Sequence, residues 1–231
     1  MKKPVHKLAV GKSVAAALLA FALTGIIQAH DLKPIDPHAQ HKMMAATGAD
    51  DPHAQHKMMA AAGGAETTMA KIDLPGELSM LNRFGEQVNL LEDVIGERVV
   101  AINFVYTNCT TVCPVTSSIF SMVQTGIGEQ MGEEVALITI TVDPARDNPH
   151  RMRGFSQSFN PGDGWKWLTG DKTNVDRALK ALGAYTPNFE DHPAMVLIGD
   201  ASYSKWYRLF GFPAPEAIEA RVRELLNNRS S

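Results

Sequence analysis

Phe104-Val105-Tyr106-Thr107-Asn108-Cys109-Thr110-Thr111-Val112-Cys113-Pro114 carries both cysteines of this 231-residue chain. It continues the apolar run Arg98 to Tyr106 (RVVAINFVY), whose lack of polar alternation marks a strand buried on both faces. Pro114 to Met131 then reads as a helix. Ile119, Met122, Val123 and Ile127 recur at helical spacing, and proline suits a first turn. The cysteines therefore fall in a strand-to-helix loop, one in the loop itself and one at the start of the helix. Upstream of this run, Gln87 to Leu91 is a short strand after the turn-like Asn82-Arg83-Phe84-Gly85. Val135 to Val142 is a second buried strand, and Pro149 to Phe159 a helix. Trp165 to Leu168 is a short strand, and Asn174 to Leu182 a helix closed by Gly183. Ala194 to Ile198 pairs as a hairpin with Lys205 to Phe210. Pro215 to Leu226 closes the chain as an amphipathic helix with Ile218, Val222 and Leu225 on one stripe.

The order β-β-α-β-α-β-α-β-β-α, with buried strands linked by helices and a late hairpin, predicts an α/β fold. It is the thioredoxin-like plan, a three-layer sandwich with a central mixed sheet. Hydrophobic residues at 45% and charged residues at 20% suit a soluble globular protein and disfavour collagen, coiled-coil and multi-span membrane architectures. A formal net charge of −3 offers no basic footing for nucleic acid. Two cysteines exclude a disulfide-rich scaffold and a four-cysteine zinc site.

The composition divides the chain into three. Residues 1–29 read as a secretory signal. Lys2, Lys3, Lys7 and Lys12 precede an apolar run from Val14 to Ile27, with a cut expected after Ala29. The alternative is an uncleaved membrane anchor, which would associate the protein with the membrane. Removing four lysines and no acidic residue takes the formal charge from −3 to −7. The protein is expected to be exported, periplasmic or in a comparable compartment, where thiols can be oxidised. Residues 30–69 read as a disordered tail, too poor in large apolar residues to offset the entropy of ordering. Within it, Asp36 to Ala46 (DPHAQHKMMAA) reappears residue for residue at Asp51 to Ala61. The copies place His38, His41, Met43 and Met44, then His53, His56, Met58 and Met59, in close groups. Thioethers suit Cu(I) and imidazoles suit Cu(II), so the tail is a candidate auxiliary copper collector. A duplication without function is the alternative. Residues 70–231 are the expected thioredoxin-like domain, long enough for a sizeable core.

In open α/β sheets, ligand sites favour the carboxyl ends of the strands. A helix N-terminus stabilises a nearby thiolate. Cys109 and Cys113 are thus candidates for a redox dithiol or for two soft ligands of one copper ion. A bridge closing so short a loop gains little chain entropy, which makes a purely structural disulfide a weak use of the only two cysteines. His150, at an expected helix start, reads as solvated. His192, in Asp191-His192-Pro193 before the strand Ala194–Ile198, is the better third ligand, because this loop packs beside the cysteine loop in such a fold. Pro193 takes the place where such folds often carry a cis-proline. Asp191 or Asp143 is expected to orient the imidazole through its other nitrogen.

CTTVCP after a hydrophobic strand, TVDPARDNP after the next, then LTG and DHPAMVLIGD together resemble the Sco (SenC/PrrC) family over roughly residues 74–228. The resemblance implies a thioredoxin-like fold that binds one copper ion through Cys109, Cys113 and His192, with Asp143 and Asp147 supporting the site. It implies copper, as Cu(I) and Cu(II), delivered to the binuclear copper centre of cytochrome c oxidase. The partners implied are a copper-acceptor subunit of that oxidase, or another copper protein, and a copper donor or thiol reductant. Some members instead act as thiol-disulfide oxidoreductases that reduce the acceptor's cysteines. Whether this chain is also an enzyme in that sense stays open at the level of sequence. A peroxidase is a weaker third reading, since a close cysteine pair beside a histidine fits metal or dithiol work better.

Overall fold

The structure is a computed structural model that describes residues 67–229. The leader and both repeat copies lie outside the described residues.

The apolar run before the cysteines forms strand β4 (Val99–Val105), and all seven of its residues are buried. Val99, Ala101 and Val105 point into one apolar layer, while Val100, Ile102 and Phe104 point into the other. That is why the run does not alternate: a strand covered on both faces has no solvent side. Asn103 is the polar exception. Its Oδ1 accepts from Thr139 Oγ1 at 2.6 Å, and Trp165 Nε1 donates to the same hydroxyl at 2.9 Å.

Among the described residues, eight strands form one mixed sheet. The others are β1 (Thr67–Ala70), β2 (Ser79–Asn82), β3 (Gln87–Asn89), β5 (Val135–Thr141), β6 (Trp165–Thr169), β7 (Met195–Asp200) and β8 (Lys205–Phe210). Their spatial order is β1-β8-β7-β4-β5-β6-β2-β3. β4, β5 and β6 are parallel, and every other pairing is antiparallel. The expected mixed sheet with an antiparallel hairpin on one flank is therefore present.

Helices α1 (Val112–Ile127), α2 (Pro149–Gln157) and α4 (Pro215–Arg229) supply buried residues to one face, including Ile119, Phe120, Met152, Ile218, Val222 and Leu225. Helix α3 (Lys172–Leu182) covers the other through Val175, Ala178, Leu179 and Leu182. Burying each such aliphatic side chain contributes about 1.5–3 kcal/mol. Tyr207 Oη donates to Glu224 Oε1 at 2.5 Å and ties α4 to β8.

Several elements differ from expectation. Met122 is 46% exposed, and Phe120 takes the core position on α1. Ile119, Phe120, Val123 and Ile127 already fill the inward stripe, and Met122 lies just off it. The strand expected to reach Leu91 stops at Asn89, whose Oδ1 accepts from Leu91 N (2.8 Å) and Glu92 N (3.1 Å). This cap starts a π-helical segment over Leu90–Ile95 that buries Leu90, Val94 and Ile95. β1 begins at Thr67, inside the stretch that composition assigned to the tail, and β2 has no counterpart among the expected strands. Both are four residues long and gain their order by pairing with strands distant in sequence.

Gly199 of β7 lies opposite Trp206 of β8, and a Cβ there would meet the indole at 1.9 Å. Gly199→Ala is expected to destabilise the fold by about 1–3 kcal/mol, the usual cost of overpacking. Denaturant unfolding checks this, and an unchanged midpoint would contradict the packing.

Candidate metal centre

Strand directions gather three loops at one end of the sheet. β4 and β5 are parallel, so the segments that follow them, Tyr106–Thr111 and Val142–Asn148, emerge at the same end. β7 is antiparallel to β4, with Asn103 opposite Val196, so the segment entering β7 arrives there too. It contains His192.

Cys109 sits in the loop and Cys113 in the first turn of α1, as the spacing predicted. Both are free thiols and both are buried, Cys109 at 6% exposure and Cys113 at 0%. Cys109 N donates to Tyr106 O at 3.0 Å, which folds the loop back on the strand end. Cys113 N, an otherwise unpaired helix N-terminal amide, donates to Cys109 Sγ at 3.3 Å. The thiols are consequently unlike. Burial raises the Cys109 thiol, but hydrogen bonds from the Cys113 side chain, the Cys113 and Thr111 amides and Tyr106 outweigh it and bring its pKa down to about 7. Burial, then hydrogen bonding to Cys109, pushes Cys113 up to about 12. Tyr106 is likewise pushed up to about 12 by burial and by the neighbouring Cys109.

The TVDPARDNP motif builds the floor of this loop. Asp147 is 1% exposed. Its carboxylate accepts from Thr107 N at 3.0 Å, from the Thr107 hydroxyl, and from Thr141 Oγ1 at 2.6 Å. It thereby clamps the segment leading into Cys109 onto the end of β5. Asn148 caps α2 by accepting from Arg151 N at 3.0 Å, with Pro149 in the first turn. Arg151 Nη2 then donates to Asn108 Oδ1 at 3.1 Å, beside Cys109. Asp143 is buried and binds Arg146 Nη1 at 2.9 Å, and the Arg146 guanidinium lies 5.2 Å over the Phe189 ring.

His192 follows a short 3₁₀ turn at Phe189–Asp191. Its ring meets Tyr106 edge-on at 6.0 Å, and Tyr106 meets Phe189 edge-on at 5.0 Å. Both imidazole nitrogens are buried and without a hydrogen-bond partner. Burial lowers the His192 pKa, so the ring is neutral and its unprotonated nitrogen keeps a lone pair for a metal. An unpartnered buried polar group costs about 1–3 kcal/mol. Two soft sulfurs and an orphaned neutral imidazole at one end of the sheet fit a copper ion, which takes thiolate and imidazole ligands.

The three residues do not form a closed ligand set. Among the described residues, no group of three His, Cys, Asp or Glu side chains is close enough to hold a metal. Cys109 and Cys113 are together, and His192 connects to them through the Tyr106 ring. The expectation that Asp191 or Asp143 orients His192 is not met. Asp191 is exposed and accepts from Asn188 Nδ2 at 3.1 Å, while Asp143 is engaged by Arg146. The peptide bond before Pro193 is trans, where a cis bond is common in such folds. His150 is exposed, as expected. Tyr106, Thr107 and Phe189 escape sequence reasoning as site residues. The one available signal is Tyr106, an aromatic at the end of the buried strand and directly before the cysteine loop.

The SCO1/SenC family model matches residues 66–220. The SCO1 protein homolog of Bacillus subtilis (strain 168) is 32% identical over 115 residues, covering 48% of this chain and 58% of the relative. Protein SenC of Rhodobacter capsulatus is 30% identical over 119 residues, covering 52% of each. The match thus spans little more than half the length of these curated relatives. The structure of Bradyrhizobium japonicum ScoI with copper bound superposes with a TM-score of 0.55 at 25% identity, covering 66% of this chain and 99% of that one. The matched segment runs from the start of β1 into α4 and contains the cysteine loop, the Asp147 clamp and His192, so the chain belongs to the SCO1/SenC family.

Proposed function

We propose that this chain is an exported copper metallochaperone, with copper as its cargo, that binds one ion through Cys109, Cys113 and His192. The observation that carries the reading is the pairing of two free thiols at a helix N-terminus with a buried imidazole lacking any partner. Two thiolates suit Cu(I), and the added imidazole accommodates Cu(II). Engaging copper requires the His192 ring to close on the cysteine pair, with Tyr106 shifting or lining the site. Asp147 keeps the Cys109 segment in place and Arg151 holds Asn108, so the sulfurs change position little. The acceptor is a copper-acceptor subunit of cytochrome c oxidase, the role implied by the family resemblance. The leader-like residues 1–29 support an exported location, periplasmic or comparable, or a membrane anchor at the N-terminus. Among the described residues no helix is long and apolar enough to cross a membrane.

Copper titration of the full chain tests the ligand set. His192→Ala is expected to weaken Cu(II) binding about tenfold or more, equivalent to about 1.4 kcal/mol, while Cu(I) binding by the dithiol changes less. Unchanged Cu(II) affinity would remove His192 from the site.

A second reading is favoured by the unequal thiols. With Cys109 near 7 and Cys113 near 12, Cys109 is the attacking thiolate of a thiol-disulfide oxidoreductase and Cys113 the resolving thiol. In that case one disulfide forms on this chain as one is reduced on the acceptor, and His192→Ala leaves the exchange rate largely intact. The two roles share the same sulfurs and alternate, since only the reduced pair can offer thiolates to copper.

A further inference from the structure

Arg146 bridges the segment that leaves β5 and the segment that carries His192. Its Nη1 donates to Oδ2 of the buried Asp143 at 2.9 Å, and its guanidinium lies 5.2 Å over the Phe189 ring. A guanidinium within about 6 Å of a ring centroid is attracted by the negative face of the ring. Phe189 in turn meets Tyr106 edge-on at 5.0 Å, and Tyr106 leads directly into the cysteine loop. The turn from Thr186 to His192 is tied to itself. Thr186 Oγ1 donates to Asn188 O at 2.8 Å, Asn188 Nδ2 to Asp191 Oδ2 at 3.1 Å, and His192 N to Phe189 O at 3.4 Å. The turn therefore moves as one piece, and Phe189 anchors it to the rest of the site. Phe189 is only half-buried and lines a cavity of about 80 Å³, so its ring has room to shift. Carrying His192 onto the sulfurs takes Phe189 along and draws it away from Arg146.

We propose that Arg146 is a positioning residue that sets the oxidation-state preference of the copper site, by holding Phe189 and so keeping His192 off the two thiols. The proposal rests on the reading of Cys109, Cys113 and His192 as that site. Two thiolates suffice for Cu(I), whereas Cu(II) gains from an imidazole. With Arg146 over Phe189, Cu(I) binds on the sulfurs and leaves the latch closed. Cu(II) recruits the imidazole only as the Arg146–Phe189 contact opens, so its affinity is lowered by the fraction of molecules in which the latch is shut. The state of the imidazole agrees with this. Both of its nitrogens are buried without a partner. Such an arrangement is unfavourable in itself and persists because other contacts hold the turn in place.

The test measures the affinity of the reduced full chain, without oxygen, for Cu(II) and for Cu(I), each by competition with a chelator of known affinity. Arg146→Gln can still donate to Asp143 but puts no charge over the ring, and it is expected to bind Cu(II) about three- to fivefold more tightly. Arg146→Lys keeps a cation there and should lie closer to wild type, and Cu(I) affinity should be unchanged in both. Phe189→Leu removes the other half of the contact and should act in the same direction. Adding Arg146→Gln to Phe189→Leu should then bring no further gain. In a His192→Ala chain, Arg146→Gln should leave Cu(II) affinity unchanged, because no imidazole remains to be released. Unchanged or weaker Cu(II) binding by Arg146→Gln overturns the latch and leaves the site standing. A gain that persists in the His192→Ala chain also overturns it, since the effect is then that of the lost positive charge alone. If His192→Ala by itself leaves Cu(II) affinity unchanged, the ligand reading fails and the latch fails with it.

Discussion

At about pH 7.5, alkylation of the reduced protein is expected to modify Cys109 about 100-fold faster than Cys113. Two opposing effects set that figure. With pKa values near 7 and 12, the thiolate population of Cys109 exceeds that of Cys113 by roughly 10⁴-fold at this pH. The rarer Cys113 thiolate is the more basic and hence the more nucleophilic, by roughly two orders of magnitude. Population wins, and the complete burial of Cys113 acts in the same direction. The pH dependence has a definite sign. The deprotonated form reacts, so the Cys109 rate falls about tenfold per pH unit below 7 and levels above it. The Cys113 rate keeps rising through the alkaline range. Mass spectrometry of the two cysteine peptides after timed labelling reads both rates. Equal rates, or a Cys109 profile that climbs unbroken to pH 9, would mean that the Cys113 amide and Tyr106 do not hold the Cys109 sulfur as a thiolate. The asymmetry bears on both functional readings, because the same residue is then the attacking sulfur in disulfide exchange and the first sulfur to meet an incoming ion.

Asp147→Ala is expected to destabilise the protein by about 1–3 kcal/mol. The carboxylate is buried and accepts from one backbone amide and two hydroxyls. Hydroxyls can rotate toward other acceptors, but the Thr107 amide cannot, and each buried donor left unsatisfied costs about 1–3 kcal/mol. Against a total stability of about 5–15 kcal/mol, the loss is large. Asp147→Asn should recover part of it, since one amide oxygen still accepts while the amide nitrogen faces a donor. Denaturant unfolding measures both variants. The same substitutions should release the segment before Cys109, so the Asp147→Asn protein, still folded, is expected to show a reduced difference between the two cysteine alkylation rates. An Asp147→Ala protein within about 0.5 kcal/mol of wild type, the range of an ordinary surface change, would show that the clamp does not hold the loop.

The central strand is legible in the sequence because its burial on both faces leaves a continuous apolar run. The helices are legible because Ile218, Val222 and Leu225 or Ile119, Val123 and Ile127 repeat at helical spacing. β1, β2 and the segment Leu90–Ile95 are not legible. Two of them are too short to carry a period, and the third depends on one asparagine side chain capping amides two and three residues ahead. Met122 shows the limit of counting apolar residues, since methionine is equally at home on the exposed edge of the stripe.

At the site, the order of residues along the chain sets which atoms are available: two sulfurs at a strand-to-helix junction, and a histidine before a later strand. Local patterning suffices for that, because strand, loop and helix start each depend on neighbours in the chain. How those atoms differ and what surrounds them depends on contacts between segments far apart in the chain. The unlike thiols require the Cys113 amide to point at Cys109 Sγ. The orphaned imidazole requires Asp191 to turn toward Asn188 and Asp143 toward Arg146. The Asp147 clamp requires β5 to lie beside β4. Each is a contact that the folded arrangement of strands and loops sets, and burial there magnifies every hydrogen bond made or missed.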